Sequence, residues 1–145
     1  MNFTTDLLIN QSPDAVFNAI MNVPAWWSDA FEGSSQQVDD EFAVRFRDVH
    51  YSRQQLTEVV PGKKVVWLVT DSCLNFLTDT GEWTGTEISF DISQQDDQTL
   101  LRFTHHGLVP DIECYSACTN GWNYYLQSSL FPFINTGKGQ PGFPQ

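Results

Sequence analysis

Between Asp111 and Thr136 the chain reads DIECYSACTNGWNYYLQSSLFPFINT, and this stretch limits the available folds more than any other. Tyr115, Cys118, Trp122, Tyr125, Leu126 and Phe133 recur at steps of mostly three, four and seven. That spacing predicts a helix with one apolar face, which Ser129 continues. Ser116, Asn120, Asn123 and Gln127 fall on the opposite, wet side. So aromatic a helix needs a broad apolar partner, and only strand-like segments upstream can supply it. Pro132 is expected to kink the helix or to end it near Leu130.

The upstream segments read in order. Asn2 to Ile9 is apolar enough for a first strand. Ser12-Pro13-Asp14 starts a short helix, with Ser12 as N-cap, Pro13 in the first turn, and Val16, Phe17 and Ile20 on one face. Pro24 ends it and opens a second short turn, AWWSDAF, carrying Trp26 and Trp27. Gly33 to Gln37 reads as a loop. From Val38 the period changes to two: Phe42, Val44 and Phe46 alternate with Ala43, Arg45 and Arg47. Tyr51 to Val60 is a second strand of this set, closed by Pro61-Gly62, and VVWLVT reads as a buried one. Asp71 to Gly81 is expected to be a loop. Thr84 to Ser93 and Thr99 to His106 alternate again, and Gly107 to Pro110 bends the chain into the long helix. The tail GKGQPGFPQ carries nothing that would place it in a helix or strand, so the expected organisation is one domain over 1–136 and a Gly/Pro-rich tail over 137–145.

The order and spacing of SPDAVFNAI, PAWW, TEVVPGKKVVW, GTEISFDI, TLLRFTHHGLVP and CYSACTNGWNYYLQSSLFPFINTGKGQP resemble the START/Bet v 1 superfamily, SRPBCC. Within it they are most similar to the branch related to the C-terminal domain of Aha1, the activator of Hsp90 ATPase. Relatives often carry a Gly pair where this chain has Val38-Asp39-Asp40-Glu41. The resemblance implies an α+β helix-grip fold: a curved antiparallel sheet of about six strands around the long helix, with an apolar cavity between. It also implies small-molecule binding, of lipids, hormones or polyketides, or in a minority of cases catalysis in that cavity.

Charge excludes several partners. A formal charge of -11 with seven basic residues lacks the footprint needed for nucleic acid or for anionic lipid. No apolar run is long enough to span a bilayer, and the N-terminus does not read as a signal peptide. With an odd count of three, Cys73, Cys114 and Cys118 read as reduced thiols in a cytoplasmic protein.

Phe42, Phe46, Trp67, Phe90, Phe103, Trp122 and Tyr125 all fall on faces expected to point inward, with Leu126 beside them. Rings in such numbers suit the wall of a pocket for an apolar or amphipathic ligand. His105, on the face of Leu101 and Phe103, and Tyr51 are the expected polar anchors; His106 is expected outside and His50 solvated at a turn. Cys114 and Cys118 lie near His105 and His106 in sequence, but without a CxxC knuckle they read as buried thiols, so no metal or cofactor is expected. No nucleophile elbow, phosphate loop or acid/base dyad is present. An apolar or amphipathic small molecule is therefore the expected partner, to a monomer or a dimer. The alternatives are a cyclase- or hydrolase-type enzyme using the same cavity and an Hsp90-type co-chaperone or stress-response module.

Overall fold

Period-two alternation builds most of the molecule. The computed structural model describes residues 1–142. Among these, β1 (Phe3–Ile9), β2 (Phe31–Gly33), β3 (Glu41–Phe46), β4 (His50–Val60), β5 (Lys64–Leu74), β6 (Glu87–Gln95) and β7 (Gln98–His106) form one sheet. Its order is β1-β7-β6-β5-β4-β3-β2, and every pairing is antiparallel. From β2 to β7 each strand lies beside its neighbour in sequence, as short turns dictate. β1 closes the far side, with Phe3 opposite His105. Register shifts at Arg53/Gln54 and Leu56/Glu58 put an extra residue into β5 and into β4 in turn, which bends this pair of strands.

Two segments expected to be loops are partly strands. β2 pairs with β3 along Phe31, Glu32 and Gly33. Gly33 holds φ +105, and a Cβ there would collide with the Glu41 carbonyl, so this edge strand exists only because the residue is glycine. β5 continues past Asp71 to Leu74: a one-residue shift at Thr70 moves the buried phase from Val65, Trp67 and Val69 to Ser72 and Leu74. That extension draws β4 back to His50, which pairs with Leu74.

Ser12 caps α1 (Pro13–Met21), its Oγ accepting the Ala15 N–H at 3.1 Å. α2 (Val23–Trp26) comes at once and ends in two buried tryptophans, Trp26 and Trp27. The C-terminal helix begins at α3 (Tyr115–Tyr124), widens into a π-helical turn over Tyr125–Leu130 and resumes as α4 (Phe131–Thr136). Pro132 therefore does not end the helix. The wider turn carries the preceding carbonyls aside, where an α-helical turn would clash with the proline ring. One extra residue in the turn also rotates the last part of the helix, and Phe133 leaves the buried stripe to become half-buried. Gly137, at φ +84, closes the helix.

Rings fill most of the space between sheet and helix. Trp67 contacts Phe42, Phe90, Trp26 and Trp27 with centroids 4.9 to 6.3 Å apart, and Phe103 meets Phe90 and Trp122. Residues 137–142 of the tail form neither helix nor strand, yet they are held, and 143–145 lie outside the described residues. Ser129 Oγ donates to the Trp26 carbonyl and accepts from Gln140 N, while Gly142 N donates to the Trp27 carbonyl.

Candidate functional site

Among the described residues an opening into the core lies at the end of the sheet where β3, β4 and β5 meet α3. It is a cavity of about 140 Å³. Phe46 comes from β3, Val49 and His50 from the start of β4, and Leu74 from the end of β5. Phe76 and Trp83 come from the β5–β6 connection, and Trp27 lies just after α2. Ala117, Cys118, Gly121, Trp122 and Tyr125 complete the wall from the helix. Trp122 stacks between Trp27 and Trp83, at centroid distances of 5.1 and 5.8 Å, so three indoles make one continuous wall. At the mouth Phe76 is 48% exposed, and the small residues Ala117 and Gly121 leave the entrance unblocked.

His50 is the polar group of this wall, not the solvated turn residue the sequence suggests. Its ring stands edge-on to Phe46 and Trp83, each at 4.9 Å. Enclosure by rings penalises the charged form and pushes its pKa down to about 3, so the imidazole is neutral. Behind it a polar chain runs along β4: His50 Nε2 lies 2.8 Å from Ser52 Oγ, which accepts from Gln54 Nε2 at 2.6 Å. Ser52 and Gln54 are fully buried. Gln54 Oε1 alone among the buried side-chain polar atoms of the described residues has no hydrogen-bond partner.

His105 is inward, fully buried, and occupied at both nitrogens. Trp122 Nε1 donates to its Nδ1 at 3.1 Å, so the proton sits on Nε2 and is donated to Thr86 Oγ1 at 2.9 Å. Thr86 in turn donates to the Trp83 carbonyl. Burial, with smaller contributions from His106 and His50, pushes the pKa of His105 down to about 3 as well. This histidine fixes two indoles of the wall from behind and does not line the cavity. His106 is exposed and bonded to Ser89.

Of the residues singled out in the sequence, Phe46, Trp122 and Tyr125 line the cavity. Phe42, Trp67, Phe90, Phe103 and Leu126 pack the core beneath it. Tyr51 points to the other face of the sheet, under the Arg45 guanidinium at 4.5 Å. The Tyr125 hydroxyl donates to the Gly142 carbonyl at 2.7 Å, and burial pushes its pKa up. Cys114 and Cys118 are joined as a disulfide and are not the separate thiols expected. Their Cα atoms lie 5.5 Å apart, within disulfide reach, because one helical turn brings positions four apart together. Cys73 is free and exposed. Trp83 Nε1 donates to Cys118 Sγ and His106 faces outward, so these cysteines and histidines do not converge. Trp27, Trp83 and His50 are the wall residues that the sequence reading passes over. Counting back by twos from Gln54 through Ser52 would have placed His50 on the inner face.

Residues 10–130 match the family model described as Activator of Hsp90 ATPase homolog 1-like protein. No curated protein matches the chain. Among solved structures it is similar to the Aha1 dimer from Colwellia psychrerythraea, at 27% identity and TM-score 0.77, covering 96% of this chain and 99% of that one. It also resembles protein MLL2253 from Mesorhizobium loti, at 13% identity and TM-score 0.75, with 97% and 100% covered. CalU16 from Micromonospora echinospora is similar too, at 16% identity and TM-score 0.70, with 96% and 76% covered. The last two likenesses concern the fold alone. No helix among the described residues is long and apolar enough to cross a membrane.

Proposed function

The chain belongs to the activator of Hsp90 ATPase homolog 1-like family, and on that premise we propose that it binds an apolar or amphipathic small molecule between β4 and α3. The observation that carries this reading is the indole-walled cavity, left open in a core otherwise filled by rings. Water that enters such a space finds few polar partners on its walls. Burying a ligand's apolar surface returns roughly 25 cal/mol per Å², before the costs of association. An imidazole that protonates only near pH 3 is a weak base at neutral pH, which favours a receptor over acid–base catalysis.

A thermal-shift screen over small aromatics, fatty acids, sterols, flavonoids and nucleotides tests the reading. A ligand at 100 times its Kd adds about 2.7 kcal/mol to the folded state, a rise of several degrees. A class-selective shift is expected; a flat response across all classes would sink the proposal. A second reading, an Hsp90-type partner module, is favoured by the likeness to the Aha1 dimer. It predicts stimulation of a cognate Hsp90 ATPase, and no stimulation at saturating protein would remove it.

A further inference from the structure

Resting on that reading, we infer that the cavity selects a single-ring aromatic molecule bearing a hydrogen-bond acceptor such as a carbonyl oxygen. The group that recognises the acceptor is the Nδ1–H of His50.

Size comes first. An apolar cavity of about 150 Å³ in another protein takes benzene. At about 140 Å³ this one has room inside its mouth for one ring and a small substituent. The walls suit a ring, because Trp27, Trp83 and Trp122 line them with indoles beside Phe46 and His50.

Polarity comes from proton accounting along β4. Gln54 Nε2 can only donate, so Ser52 Oγ accepts from it at 2.6 Å. The hydroxyl proton of Ser52 then has one acceptor in reach among its described partners, His50 Nε2 at 2.8 Å. A neutral imidazole that accepts at Nε2 carries its proton on Nδ1. That nitrogen makes no hydrogen bond among the described residues, and the ring lines the cavity. The chain Gln54–Ser52–His50 thus delivers one N–H donor to an otherwise apolar box. A ligand that leaves this donor unpaired forfeits a hydrogen bond. His105 carries the opposite tautomer, set by Trp122, and offers the cavity nothing.

The test uses two isosteric probes, acetophenone and α-methylstyrene, which differ only in C=O against C=CH₂. Both are titrated by tryptophan fluorescence against wild-type protein and His50→Leu. Acetophenone's affinity relative to α-methylstyrene is expected to fall about tenfold in the variant, the loss of one hydrogen bond. If both probes bind and their ratio is unchanged, the cavity binds but His50 selects nothing, and the inference is overturned alone. If neither binds at concentrations near their solubility, the inference falls, while the binding proposal stands or falls with the wider thermal-shift screen. Nitrogen-15 NMR of the unliganded wild type adds a readout needing no variant: a proton on His50 Nδ1 is expected, and a proton on Nε2 would overturn the tautomer assignment.

Discussion

His50 and His105 lie on the same concave face, both enclosed by tryptophans and both neutral, yet they play opposite parts. His105 spends both nitrogens inside the protein, one on Trp122 and one on Thr86. His50 spends one, on Ser52. Burial alone does not distinguish an anchor for a ligand from a strut of the core; the destination of the second nitrogen does. Residue type and strand face, which a sequence provides, are the same for both.

Stability separates them most sharply. His105→Ala strands the Trp122 N–H and leaves a hole, costing about 4 kcal/mol, a fall in Tm of roughly 10 °C. His50→Ala enlarges a cavity that already exists and strands the Ser52 hydroxyl proton, and a smaller cost of about 2 kcal/mol is expected. Equal losses by calorimetry would break the comparison.

Acid is the next discriminator. For both imidazoles the folded pKa, about 3, lies below the ordinary 6.5. Below pH 6.5 the unfolded chain takes up protons that the folded one refuses, so stability is full above that pH and is lost as pH falls toward 3. His105 alone accounts for about 1.4 kcal/mol per pH unit in this window. His50 is half-buried where His105 has no exposure, so water weakens its penalty and it contributes less. Denaturant titrations at several pH values should therefore show a slope that His50→Ala reduces slightly and that His105→Ala reduces strongly.

The smallest effect concerns the support behind His50. Gln54→Met removes an orphaned acceptor together with one bond to Ser52, and stability should rise by about 1 kcal/mol or less. A loss larger than that would mean that Oε1 has a partner in solution.

The fold was legible because it is written in periods. Two-residue alternation and the Ser12 cap place most elements to within a few residues, and the aromatic stripe gives the long helix as far as Tyr125. The reading fails where a rule holds on one level and breaks on another. Asp71 to Leu74 looks like a loop by composition, yet it is strand by pairing, and that misreading hides His50. The π turn before Pro132 shifts the phase of the helix, so the stripe cannot be extrapolated to Phe133. For the candidate site, sequence distinguishes inward rings from outward ones. Only the structure separates Phe46 and Trp122, which line the cavity, from Phe42 and Trp67, which lie beneath it.

The pairing of β1 with β7 has a consequence for how the molecule is made. Phe3 meets His105, so β1 waits for about a hundred residues to be synthesised, roughly 5 to 20 seconds on a ribosome adding 5–20 residues per second. Throughout that interval FTTDLLI is a strand without a neighbour, open to pairing with another nascent chain. Asp6 is its only charge. In the finished protein it pairs with Arg102 at 2.9 Å, an exposed contact of little worth to stability. Its larger effect falls earlier, as a charge that discourages strand-to-strand sticking before Arg102 exists. Asp6→Thr should accordingly lower the soluble yield while leaving the Tm of the purified protein nearly unchanged.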